Sequence, residues 1–398
     1  MAVAGWRRLP NLLQQISVRS LSSSALPEPI WQPPDEEASP STNTAAMLYG
    51  PNDLRYVRLP LGPRPPPQQV RLEMKAVGIC GSDVHYVRKG RLADFVVESP
   101  LVLGHESAGR IIELGEGVKG LKVGDRVAVE AGIPCWDTAL SRTGRYNLCP
   151  RLAFHATPPH HGSMAQFIDH PATFCYKLPD SLSYEQGAMC EPLSVGIHAV
   201  QRAKVQPGMN VAVLGAGPIG LMALLGAKAF GADDIAISDI KTDNLELATS
   251  LGASVAICQS RGASPADVAA QIRAALPPRG PDVVIDCVGF DSTVQTALEA
   301  CNPGGKVVLL GLGQDGMHQA PLALSTTREI DLIGSFRYNN TYPICLHLMK
   351  SRRVDVLPLI THRFSFDEDS LAAAFDTAAR AAETKSIKVM FNLGDQDD

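Results

Sequence analysis

No apolar run of about 18 residues occurs in this 398-residue chain, so the sequence offers no candidate for a membrane-spanning helix. It also lacks a surplus of positive charge. The 36 Lys and Arg against 41 Asp and Glu leave a net charge of −5, which provides no field for binding nucleic acid. Internal repeats at solenoid periods are absent. The nine cysteines, at 80, 135, 149, 175, 190, 258, 287, 301 and 345, are odd in number and follow no framework spacing, which suits a reducing compartment; disulfides are not expected. Acidic residues are missing from the first 27 positions, which hold Arg7, Arg8, Arg19 and the cluster Ser22, Ser23 and Ser24. That is the composition of an organelle transit peptide, and the proline-rich, acidic stretch from Pro27 to Pro40 reads as a linker. The expectation is therefore a leader and linker over 1–44 and a mitochondrial or other organelle location, or a cytoplasmic one if the leader does not act. What remains is 45% hydrophobic and long enough for two or three domains.

Within that folded part, Cys80 is followed by the adjacent pair His105 and Glu106. A thiolate, an imidazole and a carboxylate make a three-ligand zinc set. Structural zinc is closed by four protein ligands, whereas a catalytic zinc keeps three and leaves one position for water or substrate. The glycines at 78, 81 and 104 suit ligands carried on tight turns.

A second pattern lies downstream. The apolar run Val211 to Leu214 leads into Gly215-Ala216-Gly217-Pro218-Ile219-Gly220, and a helix-like stretch follows from Leu221 to Phe230. In a dinucleotide-binding unit the first glycine makes the turn, the second admits the pyrophosphate and the third allows close helix–sheet packing. Asp239 closes the next strand, at the place where a carboxylate binds both ribose hydroxyls, which favours NAD over NADP; Lys241 nearby softens that exclusion. Further strands are expected at 255–257, 283–285, 307–310 and 330–333, with helices between them, so that six strands make a doubly wound parallel sheet. The turn after the fifth, Leu310-Gly311-Leu312-Gly313, falls on the carboxyl edge, where the nicotinamide half of the cofactor should lie.

Upstream of this unit, short β-like runs at 69–74, 109–114 and 126–129, punctuated by glycines, suggest a small barrel. Seven separated motifs then converge: GICGSDVHY from Gly78, LGHE from 103, GRYNLC from 144, ATPPHHG from 156, CEPLSVGIH from Cys190, GAGPIG from 215, and Phe336-Arg337-Tyr338. With these, residues 46–394 resemble the zinc-containing medium-chain dehydrogenases, and most closely their sorbitol (L-iditol) dehydrogenase group. The resemblance implies an α/β protein with a GroES-like β-barrel catalytic domain over 45–200, completed by 342–398, and a Rossmann NAD-binding domain over 201–341.

It further implies one catalytic zinc per subunit held by Cys80, His105 and Glu106. Glu191 of the EPLS motif would bind the metal directly or through water, or help to bind the polyol. Tyr86, Arg337 and Tyr338 match positions that contact substrate hydroxyls. Ser82 and His85 match a relay that passes a proton outward. Gly215, Gly217, Ile219, Gly220, Asp239, Asn244, Leu310, Gly311, Leu312, Phe336 and Arg337 would line the cofactor. A homodimer or homotetramer is implied as well, with the last Rossmann strand as an available edge.

Two departures from the family pattern stand out. Many relatives place four cysteines around a structural zinc, but here only Cys135 and Cys149 are kept, with Thr138 and Ser141 between them. Hydroxyls are poor zinc ligands beside thiolates, so that second zinc should be absent. Asn244 replaces an arginine that contacts the adenosine end of the cofactor in close relatives, a change expected to weaken NAD binding.

The activity implied is oxidation of a polyol such as sorbitol, L-iditol or xylitol to the ketose, with hydride passed to NAD. Another secondary alcohol, such as L-idonate or threonine, is the alternative substrate, and a non-enzymatic NAD-binding scaffold the remote one.

Overall fold

The computed structural model describes residues 42–276, 278–313 and 320–394. Of the leader and linker expected over 1–44, residues 1–41 lie outside the described residues, and residues 42–44 instead begin the strand Thr42–Gly50. Two sheets organise the rest. In the first, strand order runs 175–177, 126–129, 106–114, 69–79, 388–392 and 360–365, and Phe167–Pro171 also pairs with the long strand Gln69–Ile79. All pairings are antiparallel except that of Ile360–Ser365 with Lys388–Asn392. Strands from the two ends of the chain thus meet side by side. Leu72, Met74, Val77, Ile111, Val129 and Phe391 fill the interior of this sheet. Buried Arg71 ties three strands together through Asp169 at 2.9 Å and Glu113 at 3.3 Å.

The second sheet is parallel throughout, in the order 255–258, 235–239, 211–214, 283–286, 306–309 and 331–334. This is the doubly wound arrangement, and its direction of winding reverses between Val211–Leu214 and Val283–Asp286. A crevice for a ligand opens there at the carboxyl ends of the strands. The fingerprint turn stands at that point. A side chain on Gly220 would run into the carbonyl oxygen of Gly215 at 1.8 Å, so only glycine lets the helix Pro218–Ala229 start so close to its strand. Gly217 faces open space instead, leaving its amide accessible to a phosphate.

The helix Cys190–Ala203 joins the two sheets and is buried along most of its length. At Gly196 a Cβ would lie 2.5 Å from the backbone of Met222, so the two helices touch backbone to backbone. One apolar cluster accordingly runs from Ala76 and Ala108 of the first sheet, through Leu193 and Ile197, to Val213 and Ile285 of the second. This shared core fixes the cleft in which the expected site residues meet.

Candidate active site

The strand Gln69–Ile79 ends one residue before Cys80, which caps the helix Gly81–Lys89, and Asp83 closes the turn by accepting the Cys80 amide at 2.9 Å. Its other carboxylate oxygen accepts the Gly104 amide at 3.1 Å. One buried aspartate therefore ties the Cys80 turn to the turn that carries His105. Glu106 begins the neighbouring strand, directly opposite Gly78 in the register. A Cβ on Gly78 would stand 2.2 Å from Glu106 Oε2, so glycine is needed for the carboxylate to turn inward.

The donor atoms of Cys80, His105 and Glu106 lie within 4.8 Å of one another and form the one such cluster among the described residues. Three tests of fit to zinc agree. The set is one thiolate, one imidazole and one carboxylate, which suits zinc. Little of His105 and Glu106 is exposed to compete for solvent. The electrostatics also call for a cation: burial alone would depress His105, yet Asp83, Cys80 and Glu191 outweigh it and push the imidazole up to about 10. The thiol and carboxylates around the imidazole favour positive charge at this point, which a metal ion would supply.

Lys388 is the residue that motif reasoning missed. From the C-terminal strand its ammonium reaches Glu106 Oε1 at 2.6 Å and Oε2 at 2.7 Å, and the carbonyl of Ile79 at 3.3 Å, in a fully buried setting. Nothing local signals it, because 282 positions separate the partners. Asp83 was missed too, although its place three residues after the helix cap is a recognisable capping signal.

A cavity of about 230 Å³ opens beside the trio. The first sheet, with the helix Gly81–Lys89 and the turns beside it, contributes Cys80, His105, Glu106, Ser82 and Tyr86 to its walls. Ile219, Leu310, Leu312, Phe336 and Arg337 come from the nucleotide-binding side, and Glu191 from the joining helix. Glu191 does not join the close-packed trio. Burial and the neighbouring Glu106 raise it to about 7, against the opposing pull of His105, Lys388 and Tyr338. Burial also raises Tyr86, to about 12, so its hydroxyl keeps its proton.

Arg337 sits in the left-handed backbone region, with φ of 51°, and is held over the Phe154 ring at 3.8 Å. Its Nη2 donates to Thr157 Oγ1 at 3.1 Å. Burial lowers it to about 10, which leaves the guanidinium charged at neutral pH. Phe154 and Thr157 are thus further cavity residues that the motif reading did not single out.

Not every expected residue faces the cavity. Tyr338 lies behind the wall, packed between Phe154 at 6.4 Å and Tyr342 at 5.7 Å. Its influence on the site runs through Glu191, whose charge it helps to stabilise. Ser82 lines the cavity, whereas His85 stands on the exposed side of the same helix. Of the adenosine-end residues, Asp239 accepts the amides of Ala216 at 2.6 Å and Lys241 at 2.9 Å, which brings its carboxylate to the fingerprint turn. Asn244 is buried in the first turn of the helix that follows. Gly215 makes its turn at φ of 91°, and Gly311 packs against Val288.

Residues 66–180 match the alcohol dehydrogenase GroES-like domain and residues 218–351 the zinc-binding dehydrogenase family. A sorbitol dehydrogenase from Arabidopsis thaliana is 51% identical over 88% of this chain and 95% of its own length. An L-idonate 5-dehydrogenase from Vitis vinifera is 48% identical with the same two coverages. Among solved structures, an alcohol dehydrogenase from Escherichia coli CFT073 complexed with NADH superimposes with a TM-score of 0.80 at 26% identity, covering 88% of this chain and 99% of that one. Taken with the ligand trio and the doubly wound sheet, these matches show that the chain belongs to the zinc-binding dehydrogenases, in the group that includes the sorbitol dehydrogenases.

Proposed function

We propose that this chain oxidises a polyol at a secondary hydroxyl to the corresponding ketose, with NAD as hydride acceptor. The observation that carries the reading is one cavity in which the trio, Glu191, Tyr86 and Arg337 face the carboxyl edge of the nucleotide-binding sheet.

Cys80, His105 and Glu106 would hold zinc, which as a Lewis acid lowers the pKa of a bound hydroxyl. NAD, supported by Ile219, Leu310 and Leu312, supplies the hydride acceptor. The protein's own groups do the rest. Arg337 and Thr157, with the phenol of Tyr86, present donors and acceptors to a chain of hydroxyls and so fix which carbon lies nearest the trio. Glu191, poised near neutrality, accepts a hydrogen bond from the substrate or takes up its proton. Ser82 stands where a proton could leave, and we assign His85 to the outer end of that path. Phe95, Phe154 and Phe336 surround the Arg337 guanidinium and hold it by ring contacts. Asp239 supports NAD over NADP through the ribose hydroxyls.

A second reading is favoured by one feature. The guanidinium of Arg337 is half-buried and, among the described residues, hydrogen-bonds a single hydroxyl within the cavity wall, so it would also pair with the carboxylate of an aldonate such as L-idonate. Kinetics of the chain from Ala45 onward decide between the two. NADH formation is followed on sorbitol, xylitol, ribitol, L-idonate and threonine before and after chelation. Zinc-restored turnover of sorbitol or xylitol supports the polyol reading, turnover of L-idonate alone moves the substrate to an aldonate, and silence on all five with zinc and NAD bound removes the enzyme reading.

Two further proposals rest on less. The strand Asp331–Gly334 is an edge of the parallel sheet and mostly exposed, which supports pairing of subunits into a homodimer or homotetramer. The acid-free leader supports import into an organelle, to be tested by fusing residues 1–44 to a fluorescent reporter.

A further inference from the structure

The lobe between Cys135 and Cys149 departs from the four-cysteine pattern, and in the structure its two thiols have converged. Their sulfur atoms lie 3.2 Å apart although 14 positions separate them. The bond length of a disulfide is about 2.05 Å, so closure asks for a shift of roughly 1 Å. The two intervening hydroxyls bond each other, with Thr138 Oγ1 and Ser141 Oγ 2.8 Å apart, and Ser141 also faces the Cys149 thiol. Cys135 is partly exposed, whereas Cys149 is buried.

The same lobe holds the substrate-facing segment. Asn147 Nδ2 donates to the Phe336 carbonyl at 2.8 Å, and Asn339 Nδ2 donates to Gly144 O and to Asn147 Oδ1, each at 2.9 Å. The Asn340 amide donates to the Tyr146 hydroxyl at 2.7 Å, which itself donates to buried Glu130 at 2.6 Å. Arg337, in its left-handed conformation, lies between these anchors. The chain from 144 to 149 therefore sets where Arg337 stands.

We propose that Cys135 and Cys149 form a reversible disulfide that staples this lobe in place of a metal and thereby positions Arg337 for substrate. The polarity of the pair supplies a route. Burial raises Cys149, but hydrogen bonds from Ser141 and Cys135 outweigh it and hold the thiol below its ordinary value. Burial raises Cys135, and its bond to Asp137 raises it further. With hydrogen peroxide as oxidant, the Cys149 thiolate attacks one peroxide oxygen, the O–O bond breaks, and hydroxide leaves and is protonated to water. Cys135 then gives up its proton and attacks the resulting sulfenic sulfur. The S–S bond forms and a second water departs. Two thiols are oxidised by two electrons and one peroxide is reduced to two waters.

The positioning role rests on Arg337 acting in substrate binding as proposed above; the disulfide itself does not, so the test reads them separately. Zinc-loaded, full-length protein is treated with peroxide under non-denaturing conditions, and the peptides containing residues 135 and 149 are weighed. The expected result is a linked pair about 2 Da lighter than the two thiols, reversed by dithiothreitol. On reduction the KM for polyol should rise about threefold or more, with kcat and the KM for NAD little changed, since only positioning is lost. The C135S/C149S variant should show the raised KM of the dithiol form and no response to peroxide. Should that variant fail to fold, the wild-type protein with and without reductant gives the same comparison.

Peroxide that leaves the pair as thiols overturns the disulfide. A second zinc bound by the wild-type protein and lost in C135S/C149S overturns it too, in favour of a metal. A disulfide that forms without moving the KM overturns the positioning role. Failure of the reduced enzyme to turn over any polyol is a different result, since it removes the proposed substrate and leaves the mass measurement standing.

Discussion

Two regions place thiols where they can bind or react, and they are built on different principles. The Cys80 cluster hangs from the ends of paired strands. Its carboxylate is neutralised by a lysine from the far end of the chain, and the Asp83 carboxylate ties its two turns together. The Cys135–Cys149 lobe is a surface excursion whose short helix, Ala139–Arg142, is capped by its own Thr138. The first is integral to the fold, so an altered ligand disturbs the sheet and the chemistry together. The second needs only to be closed, and closure can be achieved by a metal, by a disulfide or by hydrogen bonds. This explains how two of four cysteines can be exchanged for hydroxyl residues in the lobe while the cluster keeps its trio.

The largest effect should therefore follow a break in the cluster. Cys80→Ala removes the thiolate, and zinc content measured by atomic spectroscopy should fall from one per chain to nearly none. The accompanying loss in kcat/KM should be about a thousandfold or greater, as several kcal/mol of transition-state stabilisation disappear with the metal. Retention of zinc and activity by this variant would place the metal elsewhere.

Lys388→Met probes the balance of charge. Without its partner, Glu106 is a buried and unpaired carboxylate, which costs about 3–5 kcal/mol in the metal-free protein. Zinc would supply the missing positive charge, so the zinc-loaded variant should lose far less. Thermal unfolding of both forms reads this directly, because the gap in Tm between metal-free and zinc-loaded protein should widen relative to wild type. An equal loss in the two forms would mean that the lysine serves packing alone.

Arg337 stands where the two regions meet, since it faces the cluster and is held by the lobe. Arg337→Met keeps the stem against Phe154 and removes the donors. A charge-assisted hydrogen bond lost in the cavity is worth about 1.5–3 kcal/mol, so the KM for polyol should rise by roughly 10- to 100-fold while zinc content stays at one. If L-idonate loses much more than sorbitol does, the guanidinium pairs with a carboxylate.

The sequence made the parallel sheet readable almost strand by strand, because Val211–Leu214 and residues 283–285 are short, continuous apolar runs buried on both faces. The trio was legible for a similar reason, as residue chemistry and local glycines carry it within 27 positions. Lys388 was not, since it meets Glu106 only when the C-terminal strand lies down beside Gln69–Ile79. Tyr338 shows another limit. Motif similarity identifies which segment lines a cavity, but the side to which each residue points depends on the local backbone, and here Arg337 faces the cavity and Tyr338 its back. The approach of the two thiols was hidden as well, since the spacing of Cys135 and Cys149 alone suggests nothing until the lobe folds back on itself.

The smallest effect tests the claim that the lobe is held by local bonds. Thr138 Oγ1 accepts the Ser141 amide at 3.2 Å and shares a hydrogen bond with the Ser141 hydroxyl. Thr138→Ala removes both, at a cost of about 1 kcal/mol, typical of an N-cap. In a protein of this size such a loss should move Tm by only about 2 °C or less. Zinc content should not change. Hydrogen exchange should quicken at the amides of residues 139–143, while those of the strand Glu106–Leu114 keep their protection, because opening of the lobe does not require opening of the sheet. If protection also fell in that strand, the lobe and the cluster would be one cooperative unit, and the distinction between a site integral to the fold and one that needs only closure would be lost.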